Sequence, residues 1–539
     1  PTMQQPLSTL KSSLFNSLFF LLFASNLFAQ QAPNILLVIA DDLGVDYTNG
    51  YHEGGRMPTT PTLDSLRSVG LTFKNVFAAP KCTPSRAAIL SGKYGVKTGV
   101  IGTPGNLDLI HTSLLTELAT RTNNQYADAV IGKWHLSSPA DPLHPAAHGA
   151  DYFMGVMGSG VDDYYAWAKT ENGTTSTETQ YATSAFTDAS IDWVAAQNQP
   201  WLLWLAHTAP HGPFHVPPSD LYTTGNTNNN VGKYIAMVEA MDHEMNRLIQ
   251  SLSEDERANT LIIFVGDNGT PNGILKDYPS GRGKSTLYQG GVRVPLIIAG
   301  AGVTRQGEEE LAMVHIADIY ATILEAVGAD LAGGLYNSLS FYPLLSGGDF
   351  LGRKFNYTEI GREDPSGWTI RDQRYKLIAF DDGSQEFYDL QTDSFELNNL
   401  LLGNLDSEQL ASKAELESEG AQIRNAWSCQ DQILNGGEVG IDCGGSSCNT
   451  CITTSTEGLL LANRIHIFPN PMQNTLNIRS EKELILGLSI YNSAGQLLWR
   501  QSNLETQELS TSLAHLDPQL LLLEIKLPGQ LIRKKVIKN

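Results

Sequence analysis

The chain has 539 residues, of which 41% are hydrophobic and 17% are charged, and this composition is typical of a globular protein. Its length corresponds to about three or four domains of ordinary size. The formal net charge of -21 disfavours nucleic acid as a partner, because binding to phosphate backbones depends on an excess of Lys and Arg. An anionic substrate is repelled at long range for the same reason. Any anion site must therefore be a local cluster of cations, metal ions and backbone amides.

Residues 1–30 have the pattern of a secretory signal peptide. A basic residue, Lys11, precedes an apolar run from Leu14 to Ala29, which ends in a small side chain. The alternative is a membrane anchor, which requires about 20 apolar residues. Four polar side chains interrupt the run: Asn16, Ser17, Ser25 and Asn26. We therefore expect export and no transmembrane anchor, since no other segment is long and apolar enough to span a membrane.

Apolar runs that end in polar turns recur through the first half of the chain, and we interpret them as buried strands. They cover residues 35–40, 127–131, 201–206, 261–265 and 294–299. Apolar residues at three- and four-residue spacing predict helices over residues 61–69, 234–252 and 315–327. This alternation predicts an α/β domain over residues 31–351, with a mostly parallel sheet flanked by helices. Ligands of such sheets bind beyond the carboxyl ends of the strands.

From about residue 352 the pattern changes to shorter strands joined by turns. Segments 368–371, 375–380 and 386–390 predict a small antiparallel subdomain over residues 352–426. A Cys-rich module and linker follow at residues 427–457. Residues 458–539 alternate short strands with turn residues, which predicts a separate β-sandwich-like tail domain. A carbohydrate-binding β module is one interpretation of this tail.

Four of the five cysteines lie in the Cys-rich module. They are Cys429, Cys443, Cys448 and Cys451. In an exported protein this clustering favours two disulfides, and a zinc site is the alternative. Cys82 is then left without a partner, and an unpaired cysteine in a secreted protein is either a buried thiol or a reactive residue.

Cys82 begins the segment CTPSRAAILSG, residues 82–92. Pro84 can begin a helix that residues 85–90 continue, and this places residue 82 near unpaired backbone amides and the positive end of the helix dipole. An oxyanion would be stabilised there. Arg86 has the spacing of an anion clamp on the same helix, and a surface cation is the alternative interpretation.

Oxygen-bearing side chains follow two of the predicted strands. Asp41 and Asp42 come directly after the first strand, and Asp267 and Asn268 follow the strand at 261–265. Alone, each pair is the ordinary composition of a helix cap or an Asx turn. Together they predict a site for a hard divalent cation, Ca²⁺ before Mg²⁺, because several carboxylates and an amide contribute.

Basic residues follow other strands. Lys133 and His135 lie in the segment GKWHL, and because they are two residues apart on an extended chain, we predict that both face the same side. His211 lies in TAPHGP and Lys284 in GRGK. A lone histidine is more often a hydrogen-bonded core residue, and we interpret His207 in this way.

These motifs resemble the formylglycine-dependent sulfatase family, whose signature is C-x-P-S-R-x-x-L-L-x-G, over about residues 33–401. The GKWH segment agrees with the family, as do the order and spacing of the motifs. The segment YQGGVRVP, residues 288–295, resembles the family's W-E-G-G-x-R-x-P run with Tyr-Gln in place of Trp-Glu. The resemblance implies an alkaline phosphatase-like α/β fold and a sulfuric ester hydrolase.

The resemblance also implies how the nucleophile works. A formylglycine-generating maturation enzyme would oxidise Cys82 to an aldehyde, whose hydrate attacks sulfur, and Arg86 would orient it. Lys133 would stabilise the formylglycine oxygen. His135 would remove the second proton, which expels sulfate and regenerates the aldehyde.

The remaining implied roles concern the leaving group and the metal. One of His211 and Lys284 would protonate the departing alcohol. The metal would be Ca²⁺, which polarises a sulfate oxygen. Its ligands would be Asp41, Asp42, Cys82, Asp267 and Asn268.

The tail is similar to the type IX sorting domains of Bacteroidetes, on the segments IFPNP at 467–471 and RKKVI at 533–537. This implies the type IX secretion machinery as a partner and a secreted or cell-surface location. We expect a sulfated carbohydrate as substrate, such as an algal polysaccharide or its oligosaccharides. The alternatives are an arylsulfatase, a formylglycine-dependent phosphodiesterase or phosphonate hydrolase, and an inactive glycan-binding surface protein.

One stretch carries side chains suited to hydrogen bonding and stacking on sugars. They are His148, Asp162, Asp163, Tyr164, Tyr165 and Trp167. Packing in the core is the alternative interpretation of these aromatic residues.

Overall fold

The computed structural model describes residues 32–51, 55–331, 335–350, 352–361, 365–425, 465–469, 472–480, 484–492, 497–514, 516, 519–527 and 530–538. The chain forms two compact units, residues 1–442 and 443–539, which are described separately. The predicted signal peptide and the Cys-rich module lie outside the described residues. In the part of the chain that is described, no helix has the length and apolarity needed to cross a membrane.

A ten-stranded sheet forms the centre of the first unit. Its strands are β1 (Asn34–Ala40), β2 (Gly70–Phe77), β3 (Ala127–Lys133), β4 (Tyr152–Val156), β5 (Trp167–Glu171), β6 (Thr174–Glu178), β7 (Trp201–His207), β8 (Thr260–Gly266), β9 (Leu296–Gly300) and β10 (Glu308–His315). Their order across the sheet is β10-β2-β9-β8-β1-β7-β3-β4-β5-β6. The run β8-β1-β7-β3-β4 is parallel throughout. The predicted α/β fold with a mostly parallel sheet is therefore confirmed.

Helices cover both faces of this sheet. They are Pro61–Val69, Cys82–Ser91, Gly95–Thr98, Leu114–Arg121, His144–Ala147, Ala182–Ala195, Asn230–Ser251, Glu254–Ala258, Gln289–Val292 and Asp318–Ala326, with 3₁₀ turns at Val45–Tyr47, Tyr342–Ser346 and Leu400–Leu402. Two apolar clusters fill the space between sheet and helices. Leu37 of β1 belongs to one cluster and Leu36 and Val38 to the other, because successive side chains of a strand point to opposite faces.

The predicted strands are present, with ends within two residues of the predicted ones. The helix expected at 234–252 begins at Asn230, and two further elements differ from the prediction. The strand expected at 294–299 is β9, which runs antiparallel to β2 and β8. The helix expected at 315–327 begins at Asp318, because His315 is the last residue of β10 and its main-chain amide donates to the Asp318 carboxylate. Sequence reasoning missed β2, whose mixed polar pattern has no apolar run.

A four-stranded antiparallel sheet follows in the same unit. Its strands are β11 (Asn356–Ile360), β12 (Gly367–Arg371), β13 (Tyr375–Phe380) and β14 (Gln385–Asp389), and the helix Ser407–Asn425 comes after them. A fully buried ion pair joins Lys376 of β13 to Glu396 at 2.5 Å. The second Glu396 oxygen accepts a hydrogen bond from the Gln289 main-chain amide at 2.6 Å, which ties this sheet to the segment after Lys284.

The second unit contains two antiparallel sheets. One is β15 (Ile465–Phe468), β16 (Thr475–Ser480) and β19 (Glu508–Ser512), and the other is β18 (Leu497–Thr506), β17 (Ile485–Tyr491), β20 (Gln519–Leu527) and β21 (Gln530–Lys538), each in spatial order. Both contribute to one apolar cluster, in which Ile478 of the first sheet and Leu488 of the second are buried. This arrangement has the character of a sandwich.

Gly155 allows the closest approach in the sheet, where β4 meets β3. A β-carbon at this position would lie 1.8 Å from the Gly132 carbonyl oxygen. We predict that Gly155→Ala lowers the free energy of unfolding by about 1–3 kcal/mol, because neither strand can move away inside a packed sheet. Gly225→Ala is the control, since nothing lies within 4 Å of a β-carbon there. Equal urea midpoints for the two variants would contradict this packing argument.

Candidate active site

The sites predicted from sequence meet at the carboxyl edge of the parallel strands. Ala40, the last residue of β1, pairs with Gly266, the last residue of β8. The residues that follow, Asp41 and Asp267, are therefore neighbours, and the Asp42 main-chain amide donates to Asp267 Oδ1 at 3.1 Å. Asn268 joins them by donating to Asp42 Oδ1 at 2.8 Å. The four side chains are all buried, as a metal site inside a cleft requires.

The helix Cys82–Ser91 brings its first residue into this cluster, and every residue of the helix is buried. Arg86, one turn further on, donates from Nε and Nη2 to Asp267 Oδ2 at 3.1 and 2.8 Å and from Nη1 to the Lys133 carbonyl oxygen at 2.7 Å. The surface interpretation of Arg86 is therefore wrong. Among the described residues Cys82 is a free cysteine, and its Sγ lies 3.3 Å from His135 Nδ1.

Lys133 and His135 both enter the cluster, but a turn and not an extended chain places them there. The strand β3 ends at Lys133, and His135 has a left-handed backbone with φ of 56°. The prediction of an extended segment is therefore wrong. Lys133 Nζ lies 2.6 Å from Asp41 Oδ2. Thr83, which sequence reasoning did not single out, lies 3.2 Å from both ring nitrogens of His135, and its position beside Cys82 is the signal that could have found it.

His211 and Lys284 form the open side of the cluster. Lys284 Nζ lies 2.5 Å from Asp42 Oδ1, and His211 Nε2 lies 3.9 Å from Asp42 Oδ2. The Lys284 side chain is 17% exposed and the His211 side chain is 24% exposed, whereas the Arg86 and Lys133 side chains have no exposure. A substrate must therefore enter past His211 and Lys284. His207 is fully buried and makes no hydrogen bond to the described residues, in line with a core position.

The electrostatics of the cluster depend on burial and on close opposite charges. Burial raises the pKa of the Cys82 thiol, but Lys133 and Lys284 outweigh it, and the net pKa is below the ordinary value. Burial also opposes ionisation of Asp42, yet Lys284, His211 and Lys133 bring its pKa down to about 2. For His135, burial and the charge of Lys133 lower the pKa to about 2, so its ring is neutral at neutral pH.

The cluster fits a hard divalent cation. Cys82 Sγ and one carboxylate oxygen each from Asp41 and Asp267 all lie within 4.8 Å of one another. Asp41 Oδ1 and Asn268 Oδ1 are buried and accept no hydrogen bond from the described residues. Buried oxygens without donors are costly unless a cation satisfies them. Carboxylate and amide oxygens are the ligands that Ca²⁺ and Mg²⁺ prefer.

The stretch proposed to contact sugars divides into core and surface residues. His148, Tyr164 and Trp167 are buried, and the core interpretation is correct for them. Tyr164 donates its hydroxyl to the Thr208 and His211 carbonyl oxygens, which positions the loop that carries His211. The exposed members are Asp162, Asp163 and Tyr165.

Comparison with known proteins gives three family matches. The sulfatase family model matches residues 33–329. A model described as N-sulphoglucosamine sulphohydrolase, C-terminal, matches residues 282–424. A domain of unknown function matches residues 456–538, the region of the tail.

The sequence is also similar to curated sulfatases. Arylsulfatase J of Mus musculus is 29% identical over 318 residues, which cover 54% of this chain and 52% of that protein. N-acetylgalactosamine-6-sulfatase of Homo sapiens is 27% identical over 368 residues, which cover 61% of this chain and 69% of that protein. The chain thus spans about half of the mouse protein's length.

Among solved structures, the crystal structure of Ps i-CgsB in complex with k-i-k-neocarrahexaose matches with a TM-score of 0.63 and 25% identity, over 74% of this chain and 95% of that chain. Since the sulfatase family model covers more than half of the 539 residues, the chain belongs to the sulfatase family.

Proposed function

We propose that the protein is a sulfatase that hydrolyses a sulfate ester of a carbohydrate, such as an algal polysaccharide or its oligosaccharides. The observation that carries this proposal is the position of Cys82, the first residue of a buried helix inside a cluster of basic side chains. In a protein of net charge -21, such a local concentration of cations is what an anionic group requires. The names of the human relative and of the k-i-k-neocarrahexaose complex support a sugar substrate.

We further propose that Cys82 acts after oxidation to formylglycine by a maturation enzyme. The first turn of the helix leaves main-chain amides free to stabilise an oxyanion at this position. His135 Nδ1 is 3.3 Å from Cys82 Sγ, so a neutral imidazole stands within reach of a proton on an oxygen held there. Thr83 Oγ1, at 3.2 Å, fixes the plane of that ring.

We assign protonation of the leaving group to the two partly exposed basic residues, Lys284 and His211. Lys284 Nζ lies 2.5 Å from Asp42 Oδ1. Burial lowers the pKa of Lys284, but the charge of Asp42 outweighs burial, so the pKa lies above its ordinary value and the group is charged. His211 Nδ1 lies 2.7 Å from the Gly212 carbonyl oxygen, which orients the ring and leaves Nε2 toward the cluster. Either group can supply a proton to an alcohol oxygen that enters from the open side.

We propose Ca²⁺ as the metal, held by Asp41, Asp42, Asp267, Asn268 and residue 82. When bound, the cation would polarise a sulfate oxygen. Lys133 and Arg86 contact Asp41 and Asp267 directly. These contacts hold the carboxylates in place for a cation without refolding of the site.

The location of the protein is also a proposal. The predicted leader and the similarity of the tail to type IX sorting domains support export by the type IX machinery to the cell surface or medium. The two antiparallel sheets of the second unit are compatible with a sorting domain or with a carbohydrate-binding module.

The proposed reaction is tested by a panel of defined sulfated oligosaccharides and of matched aryl sulfates and aryl phosphates. We expect sulfate release from at least one oligosaccharide, and turnover of the aryl sulfate at least about 100-fold above the aryl phosphate, because differences at buried polar groups discriminate strongly. The measurement is ion chromatography of released anions. Dominant phosphate release would favour the phosphodiesterase, and binding of glycans without any release would favour the inactive glycan-binding protein.

The modification has its own prediction. Protein made in a host that contains a formylglycine-generating enzyme should carry an aldehyde on the peptide with residue 82, seen by mass spectrometry and by reaction with a hydrazide. Cys82→Ala is the matched control, which lacks the aldehyde and loses turnover. Active wild-type enzyme that contains only the thiol would disprove this role.

Removal of the metal should affect both stability and turnover. We expect exhaustive chelation to release about one equivalent of Ca²⁺ and to lower the melting temperature, because Asp41 Oδ1 and Asn268 Oδ1 accept no hydrogen bond from the described residues and would lose their contact with the cation. Ca²⁺ should restore both quantities better than Zn²⁺, since the ligands are hard oxygens. Full turnover without any bound metal in elemental analysis would contradict the assignment.

A further inference from the structure

A second cationic cavity lies in the first unit, where the end of β2 faces the turn between β12 and β13. It has a volume of about 390 Å³. The residues that matter for its chemistry are Asn75, Gln289, Arg293, Arg371, Gln373 and Gln391. None of them belongs to the Cys82 cluster.

Two guanidinium groups line this cavity without an acidic partner. Arg371 is 4% exposed, and among the described residues its donors reach only the Asp372 and Gln373 carbonyl oxygens, at 2.8 and 3.0 Å. Arg293 donates from Nε to the Lys74 carbonyl oxygen at 3.0 Å. Neither guanidinium forms an ion pair with a carboxylate of the described residues. Burial and the like charge of Arg293 lower the pKa of Arg371 to about 10, so the group is still charged at neutral pH.

The other charged groups nearby are already neutralised. Arg374 also lines the cavity, but it pairs with Asp389 and Glu408, each at 2.9 Å. Two acids also lie near Arg371: Glu396 pairs with Lys376 at 2.5 Å, and the Asp372 carboxylate accepts hydrogen bonds from the Arg374 and Tyr375 main-chain amides and from the Ser412 hydroxyl. Two positive charges therefore remain, and that of the buried Arg371 is strongly unfavourable without a partner.

Gln289 points to the nature of the missing partner. Its side chain is 3% exposed and lines the cavity, and its Oε1 accepts no hydrogen bond from the described residues. In the W-E-G-G-x-R-x-P run of the sulfatase family, the residue at this position is a glutamate. In this chain a neutral amide stands beside the two guanidinium groups. The cavity thus presents two fixed positive charges and an acceptor that needs a hydroxyl or amine donor.

We propose that this cavity is a second anion site that binds a sulfate group flanked by hydroxyls, as on a sulfated sugar residue. Arginine binds such oxyanions through paired N–H donors. The amide side chains of Asn75, Gln289, Gln373 and Gln391 supply donors and acceptors for sugar hydroxyls. The volume falls within the range of small-molecule sites, about 300–1,000 Å³, and exceeds the space that a bare sulfate needs. This binding does not depend on turnover at Cys82.

The proposal is tested by thermal melting and calorimetry on the full chain with sodium sulfate, glucose 6-sulfate and glucose. We expect glucose 6-sulfate to bind and glucose not to bind. Gln289→Glu should weaken this binding about 10-fold or more, because the new carboxylate pairs with the guanidinium groups and repels the ligand. The same variant should melt above the wild type without ligand, since it supplies the missing charge.

Two controls separate this cavity from the Cys82 cluster. Gln197→Glu changes the net charge equally at a site that does not line the cavity, and it should bind glucose 6-sulfate as the wild type does. Inhibition of aryl sulfate turnover by sulfate reports the Cys82 cluster and should be the same in wild type and Gln289→Glu. Arg293→Gln, at a partly exposed position, is the second variant if Gln289→Glu does not fold, and it should also lose binding.

Each outcome decides the proposal. Binding of both free sulfate and glucose 6-sulfate would support the anion site and show that the sulfate group alone suffices. Binding of glucose 6-sulfate without binding of free sulfate would support the site and show that the hydroxyl contacts are needed. Equal affinity for glucose 6-sulfate in wild type, Gln289→Glu and Arg293→Gln would overturn the proposal. Equal affinity for glucose and glucose 6-sulfate would overturn its electrostatic basis.

Discussion

The buried contact between Arg86 and Asp267 is the interaction on which the first unit's site depends. Both side chains have no exposure, and the guanidinium donates twice to one carboxylate oxygen. A charge buried in this way is stable only where its partner is fixed. The pair therefore requires that the helix Cys82–Ser91 and the end of β8 keep one relative position. That position is what places residue 82 among the metal-ligand candidates.

The parallel sheet supplies this fixed geometry. Because β1 lies between β7 and β8, the residues that follow its carboxyl end are flanked by the ends of two further strands. Asp41 and Asp42 thus reach partners from three directions, namely Asp267 after β8, Lys133 at the end of β3 and Lys284 from a loop. A loop alone would not hold five charges in register. Regular strands buried on both faces can, because their own hydrogen bonds are complete before the site is built.

The sequence predicted the strands and helices that depend on local residue patterns. Buried strands show as apolar runs, and the helix at 61–69 shows its period and its starting proline, so these were found with correct or nearly correct ends. β2 was missed because polar side chains, those of Thr72, Lys74 and Asn75, interrupt its apolar residues, although the strand pairs with β9 and β10. The turn at His135 was missed because a left-handed histidine has no sequence signature comparable to that of glycine. The ten residues of the site were predicted from motifs, whereas the contact of Thr83 with His135 depends on tertiary approach.

The Cys82 cluster and the second cavity differ in how far their positive charges are compensated by acidic side chains. In the Cys82 cluster three cations face three carboxylates, so the cluster is nearly balanced before any ligand binds, and the pKa of Asp42 falls to about 2 as a result. In the second cavity two guanidinium groups face an amide. A balanced cluster can exchange one anion for another during turnover, because removal of a ligand leaves no large unpaired charge. An unbalanced cavity instead favours a resident anion, since each departure exposes Arg371 to an apolar surrounding that includes the Phe77 ring at 5.9 Å. The balanced charges of the Cys82 cluster thus suit the proposed turnover, and the unbalanced charges of the second cavity suit the proposed retention of an anion.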